Sequence, residues 1–185
     1  MKKDVKLYNM ILPTFMLMAV HPLMWLLSIV GNFVIDSVVL LIVSLVILKK
    51  LDFKMYKSNI LLVYIAGFVA DFIGALYLFL VYVSFSDHHE EISNVWQSIQ
   101  EGIHYAVDLQ SFESIWGVIY MVSGVFVAQI LIFIFDYFVF KVKGGMNKKQ
   151  SIISSLMFAI LTAPYTYFLP SESFEWYFNL FGLHA

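Results

Sequence analysis

Three side chains that could carry charge lie in long apolar segments: Asp36, Asp71 and His21, with no Lys or Arg among them. A charged side chain in the hydrocarbon core of a membrane costs roughly 2.5–3.5 kcal/mol on insertion scales. Such residues are therefore expected to be protonated, paired with each other or bound to something positive. Oxygen ligands suit a proton, a hard cation or an ammonium group. These residues are the first candidates for a binding site.

The composition predicts a membrane protein. Of the 185 residues, 61% are hydrophobic and only 13% are charged, whereas a soluble domain has a lower apolar and a higher charged share. We expect a single membrane domain over residues 1–185. The absence of Cys excludes disulfide exchange, thiolate metal sites and Cys nucleophiles.

The apolar segments have the length that a spanning helix needs, about 20 residues. They predict an all-α integral membrane protein with a five-helix bundle. A tight turn near Gly31 would make the first two spans a helical hairpin, and Pro164 would interrupt the fifth. The spans are expected at about residues 7–29, 31–48, 59–85, 115–140 and 152–169.

The lysines predict the orientation. All eleven basic residues are Lys, and they lie in segments 2–6, 49–57 and 141–149, whereas segments 86–114 and 170–185 contain none. By the positive-inside rule the N-terminus is cytoplasmic and the C-terminus lies outside. In the outer loop, apolar residues recur at helical spacing around Trp96, which predicts an amphipathic helix on the outer membrane surface.

Polar groups from several predicted spans fall at a similar depth. Counted at 1.5 Å per residue, His21, Asp36 and Asp71 lie roughly 18–21 Å from the inner boundary. Neighbouring small residues, such as Gly67 and Gly74 on one helix and Gly124 and Ala128 on another, let helices approach closely. For Asp136, near the cytoplasmic end, we expect an ion pair with Lys141. The predicted binding residues are Asp71, Asp36, His21, Asn32, Gln129 and Tyr165.

A second polar group lies in the outer loop, where Glu101, His104 and Asp108 share one face of the predicted surface helix. Such groups could hold a divalent metal, although no tight zinc signature is present. We interpret them as a solvated polar face, with a metal site as the alternative.

Three functions are compatible with the predicted acidic layer. The first is a transporter or channel-like protein that binds a cation, a proton or an amine-bearing solute at mid-membrane depth. The second is an accessory or regulatory subunit of a membrane complex, and the third an intramembrane enzyme with Asp36 and Asp71 as a catalytic pair. The stretches 31–36 and 67–73 resemble parts of the type II signal peptidase motifs. The second signature of that family, an Asn followed closely by Ala-Asp-Ser, is missing, so we do not assign the chain to it.

The expected setting follows from the same residues. We predict a multi-pass protein of a bacterial plasma membrane, because Ile, Phe and Lys are abundant and Arg is absent. Membrane lipid is an expected partner, and a membrane protein or a second copy of the chain is an open alternative. The basic residues are scattered in short loops that favour anionic lipid headgroups, so we expect no nucleic-acid partner and no cofactor.

Overall fold

The computed structural model describes residues 22–86, 94–107 and 110–168, and within these ranges the chain is mostly helical and has no strands. Two short 3-10 helices are Ser111–Glu113 and Tyr165–Phe168. The five α-helices are α1 (Pro22–Ile47), α2 (Phe53–Ser86), α3 (Asn94–Val107), α4 (Ile115–Val142) and α5 (Lys148–Leu161).

Four helical segments of the described residues are long and apolar enough to cross a membrane: Ser28–Ile47, Phe53–Phe85, Ile115–Val142 and Lys148–Phe168. Many of their large apolar side chains are exposed, for example Val34, Phe72 and Phe126. Exposed apolar surface of this extent is atypical of a soluble monomer and fits contact with lipid. The described part of the chain is therefore a membrane-type helical bundle.

The turn predicted near Gly31 is wrong, because α1 continues without a break from Pro22 to Ile47. An isolated Gly is tolerated inside a helical pattern, and a Cβ placed at Gly31 would meet no atom within 4 Å. The predicted first span, apart from its last residues, lies outside the described residues, so five spans remain a prediction.

The chain divides into two compact units, of which the larger comprises residues 25–77 and 124–165. Its core contains Leu40, Val63, Ile132, Phe140 and Phe158, all almost fully buried. We call the side of this unit that carries the loops 48–52 and 143–147 the lysine end, because Lys49, Lys50, Lys141 and Lys143 lie there. These loops join α1 to α2 and α4 to α5.

Side-chain caps define the helix starts at the lysine end. Asp52 Oδ1 accepts hydrogen bonds from the backbone N–H groups of Lys54 (3.1 Å) and Met55 (3.0 Å), and Lys50 Nζ lies 3.2 Å from its Oδ2. The Met55 N–H and the Lys50 ammonium hold the pKa of Asp52 below its usual value. At the start of α5, Asn147 and Gln150 form a capping box.

The other unit contains α3, the amphipathic helix expected in the outer loop. The C-terminal part of its apolar face, which includes Ile103 and Ala106, is buried against protein. A Cβ at Gly102 would lie 2.5 Å from Trp116 Cβ and 2.9 Å from the backbone nitrogen of Gly117, so the start of α4 covers this face. Val95 of the predicted apolar face is 62% exposed, so the position on the lipid surface stays a prediction. The start of α4 supplies an apolar partner that periodicity alone does not reveal.

Candidate functional site

Asp36 and Asp71 project from neighbouring helices toward a common region of the larger unit. Asp36 is 5% exposed, and its Oδ2 lies 3.6 Å from the position that a Cβ would take at Gly67 of α2. Gly67 and Asp71 are four residues apart and therefore share one face of α2. Asp71 Oδ1 is itself buried. The Asp36 carboxyl therefore lies against Gly67, one helical turn from Asp71.

Small residues bring α4 close to the same face of α2. A Cβ at Gly74 would lie 3.1 Å from both Ala128 Cβ and the carbonyl oxygen of Gly124. The small-residue faces predicted from the sequence therefore meet each other. Ile132 and Asp136 follow Ala128 at four-residue spacing, so they share its face of α4. The close approach of the two helices places this face inside the unit.

Asp136 is a buried acid on α4 that does not form the ion pair predicted from the sequence. It is 0% exposed, and neither of its carboxyl oxygens has a hydrogen-bond partner among the described residues. The predicted ion pair with Lys141 is wrong, since Lys141 is exposed and its Nζ lies 5.4 Å from the centroid of the Tyr137 ring. Residues five apart on an α-helix point about 140° away from each other, whereas Tyr137 and Lys141 are four apart and share a face.

The carboxyl of Asp36 is the centre of the electrostatic contacts in this region. Asp71, Asp136 and Tyr64 are all within electrostatic range of it. The ion pair of Lys50 and Asp52 lies at the lysine end, and the carboxyl oxygens of Asp136 have no hydrogen-bond partner among the described residues. Neighbouring like charges cannot all be ionised at low cost. Protonation of a carboxyl, or a bound cation, would lower that cost.

The three acids lie at successive depths when distance is counted from the lysine end. Asp136 precedes Val142, the last residue of α4, by six residues, and Asp36 precedes Ile47, the last of α1, by eleven. At 1.5 Å per residue these depths are about 9 and about 16 Å. Asp71 lies one turn beyond Gly67, which is level with Asp36, and so at about 22 Å. The acids form a series rather than one layer.

The remaining predicted ligands are partly separate from this series. Gln129 Nε2 lies 3.5 Å from Tyr165 Oη, and the Tyr165 hydroxyl donates to the carbonyl oxygen of Ile160. These contacts assign Gln129 to the side of α4 that faces α5 and the short helix after it. Asn32 is half-buried and lies one turn from Asp36 on α1. His21 lies outside the described residues.

The alternative metal site is only partly described. Glu101 and His104 are exposed on α3, and Asp108 lies outside the described ranges. Gln97 Nε2 donates to Glu101 Oε1 at 3.2 Å, and the His104 ring contacts Tyr82 edge-on, with centroids 5.7 Å apart. Within the described part of the chain, no three His, Cys, Asp or Glu side chains are grouped so that they could hold a metal.

Comparison with protein-family models, with curated proteins and with solved structures finds no match to this chain. The class of protein therefore rests on its apolar helices, and its function must be argued from the buried acids.

Proposed function

We propose that this chain is a small transporter or channel-like protein that binds a proton, a cation or an amine-bearing solute between Asp36 and Asp71. The observation that carries the proposal is the position of Asp36 Oδ2, 3.6 Å from the vacant side-chain position of Gly67 and one turn from Asp71. Two acids on separate apolar helices, within electrostatic range of each other, favour a positive ligand between them.

The location of these acids supports transport rather than a surface role. Asp36 and Asp71 lie within helices that are long and apolar enough to span a membrane. Secondary transporters bind their substrates near the bilayer midplane. Asp36 and Asp71 lie at about 16 and about 22 Å from the lysine end, depths that would correspond to the inner part of a hydrocarbon core about 30 Å thick. By the positive-inside rule, the lysine end would face the cytoplasm.

The test is uptake by the purified protein in proteoliposomes, with an imposed proton gradient, with alkali cations and with small amines in separate assays. Asp71→Asn and Asp36→Asn keep the size of the side chain and remove its ability to ionise, so each should reduce uptake at least tenfold. Glu113→Gln is the matched control, since Glu113 is an exposed acid outside the apolar helices. Gel filtration and thermal melting would show that the variants fold.

Uptake by Asp71→Asn at the wild-type rate would refute the proposal. Absence of any uptake by the wild type, together with co-purification of one stoichiometric membrane protein, would favour the accessory-subunit alternative. Cleavage of a lipoprotein precursor that depends on Asp36 and Asp71 would favour the enzyme alternative.

A further inference from the structure

The buried acid on α4 extends the binding region toward the lysine end. Both carboxyl oxygens of Asp136 are buried and lack a hydrogen-bond partner among the described residues, which is the arrangement of a group that takes up a ligand. Its neighbours at four-residue spacing, Ile132 and Phe140, are 1% and 0% exposed. Asp136 therefore points into the interior, where Asp36 is within electrostatic range.

The depths of the acids argue against one shared ion. Two oxygens that bind the same hard cation at about 2.3–2.6 Å lie no more than about 5 Å apart. The backbone positions of Asp136 and Asp36 differ by about 7 Å in depth, and Asp71 lies about 6 Å further on. To bind a single cation together, the three side chains would have to span both of these distances at once. A proton can pass between neighbouring acids through one bridging water in each gap.

A further polar group lies at a depth similar to that of Asp136. Asn59 of α2 is fully buried, donates from Nδ2 to the carbonyl oxygen of Met55 at 2.7 Å, and has no partner for Oδ1 among the described residues. It follows Phe53, the first residue of α2, by six residues, which places it at about 9 Å from the lysine end. Its amide oxygen can accept a hydrogen bond from a water molecule at this depth.

We propose that Asp136 is a proton-relay group between the Asp36–Asp71 site and the lysine end, so that the transported or coupling ion of this protein is a proton. The inference rests on the proposed function. In the relay step the carboxylic acid of Asp36 gives its proton to a bridging water, and that water gives a proton to the Asp136 carboxylate. Asp36 ends ionised, Asp136 ends neutral and the total charge is unchanged. The proton then leaves past Asn59, and the reverse sequence serves transport in the other direction.

The test compares wild type, Asp136→Asn, Asp136→Glu and Asp71→Asn in two assays. Proton flux is measured in proteoliposomes with an enclosed pH dye under an imposed voltage. Occupancy of the Asp36–Asp71 site is measured separately, in detergent, by the extent of Asp71 modification with a hydrophobic carbodiimide, mapped by mass spectrometry. Asp136→Asn should reduce flux at least tenfold while Asp71 modification stays within about twofold of wild type. Asp136→Glu, which keeps the carboxyl, should restore most of the flux.

A carboxylic-acid carbonyl band in the infrared spectrum that disappears in Asp136→Asn would support the relay independently of flux. Wild-type flux in Asp136→Asn would overturn the relay and leave the proposed function intact. A wild type that carries cations or amines but no protons would likewise overturn the relay and leave the proposed function intact. Loss of Asp71 modification in Asp136→Asn would make Asp136 a part of the Asp36–Asp71 site and overturn its role as a separate group. A wild type that neither binds nor transports anything would remove the proposed function itself.

Discussion

Gly67→Ala should separate binding from folding, because its new methyl group would lie beside the Asp36 carboxyl. The new methyl group would lie 3.6 Å from Asp36 Oδ2, an ordinary van der Waals distance, so no steric destabilisation is expected. Ala is also the better helix former, by up to about 1 kcal/mol. The variant should therefore melt at the same temperature as the wild type or slightly higher.

The expected functional loss follows from what the methyl group displaces. A water or ligand at this position would hydrogen bond to a carboxyl oxygen, and hydrogen bonds to charged groups contribute about 1.5–3 kcal/mol. At 1.4 kcal/mol per factor of ten, losing one such bond weakens binding roughly tenfold to 150-fold. Gly67→Ser has a similar size and supplies a hydroxyl, so it should retain more activity than Gly67→Ala.

The assay pairs uptake in proteoliposomes with thermal melting of the same preparations. Gly31→Ala is the matched control, because a Cβ there meets no atom within 4 Å and should change neither quantity. If Gly67→Ala binds and transports like the wild type, the space beside Asp36 is not used by a ligand. If it fails to fold, the steric reasoning from the 3.6 Å distance is wrong.

Two further predictions concern stability. In Gly102→Ala the new Cβ would lie 2.5 Å from Trp116 Cβ. The variant should destabilise the protein by up to about 2 kcal/mol, because overpacking typically costs about 1–3 kcal/mol and the better helix propensity of Ala returns about 1 kcal/mol. An unchanged or raised melting temperature would contradict the packing of α3 on α4. Asp52→Ala should lower the melting temperature at neutral pH by removing the cap of α2. The pKa of Asp52 is lowered in the folded state, so its stabilisation is present above the unfolded value of about 3.9 and is lost as pH falls through the folded value. Melting curves between about pH 6 and about pH 3 should therefore converge for wild type and Asp52→Ala, and a constant difference would show that the charge of Asp52 does not contribute.

The sequence predicted the helical membrane class and two of the buried acids because those features are local. A long apolar run specifies a spanning helix whatever it packs against, and an Asp inside such a run is conspicuous. The meeting of Gly74 with Gly124 and Ala128 was also predictable, since small residues at helical spacing mark a close-packed face. The same four-residue spacing continues from Ala128 through Ile132 to Asp136, so the burial of Asp136 was predictable from the sequence as well.

Three results required the tertiary structure. The structure shows α1 running without a break through Gly31, a residue type that the sequence pattern also allows as a turn. The burial of the apolar face of α3 depends on where the start of α4 lies, which periodicity cannot specify. The depth order of Asp136, Asp36 and Asp71 depends on which residues of three helices are level with each other. A helix sequence fixes the face on which a side chain lies, but the register between helices is set by packing.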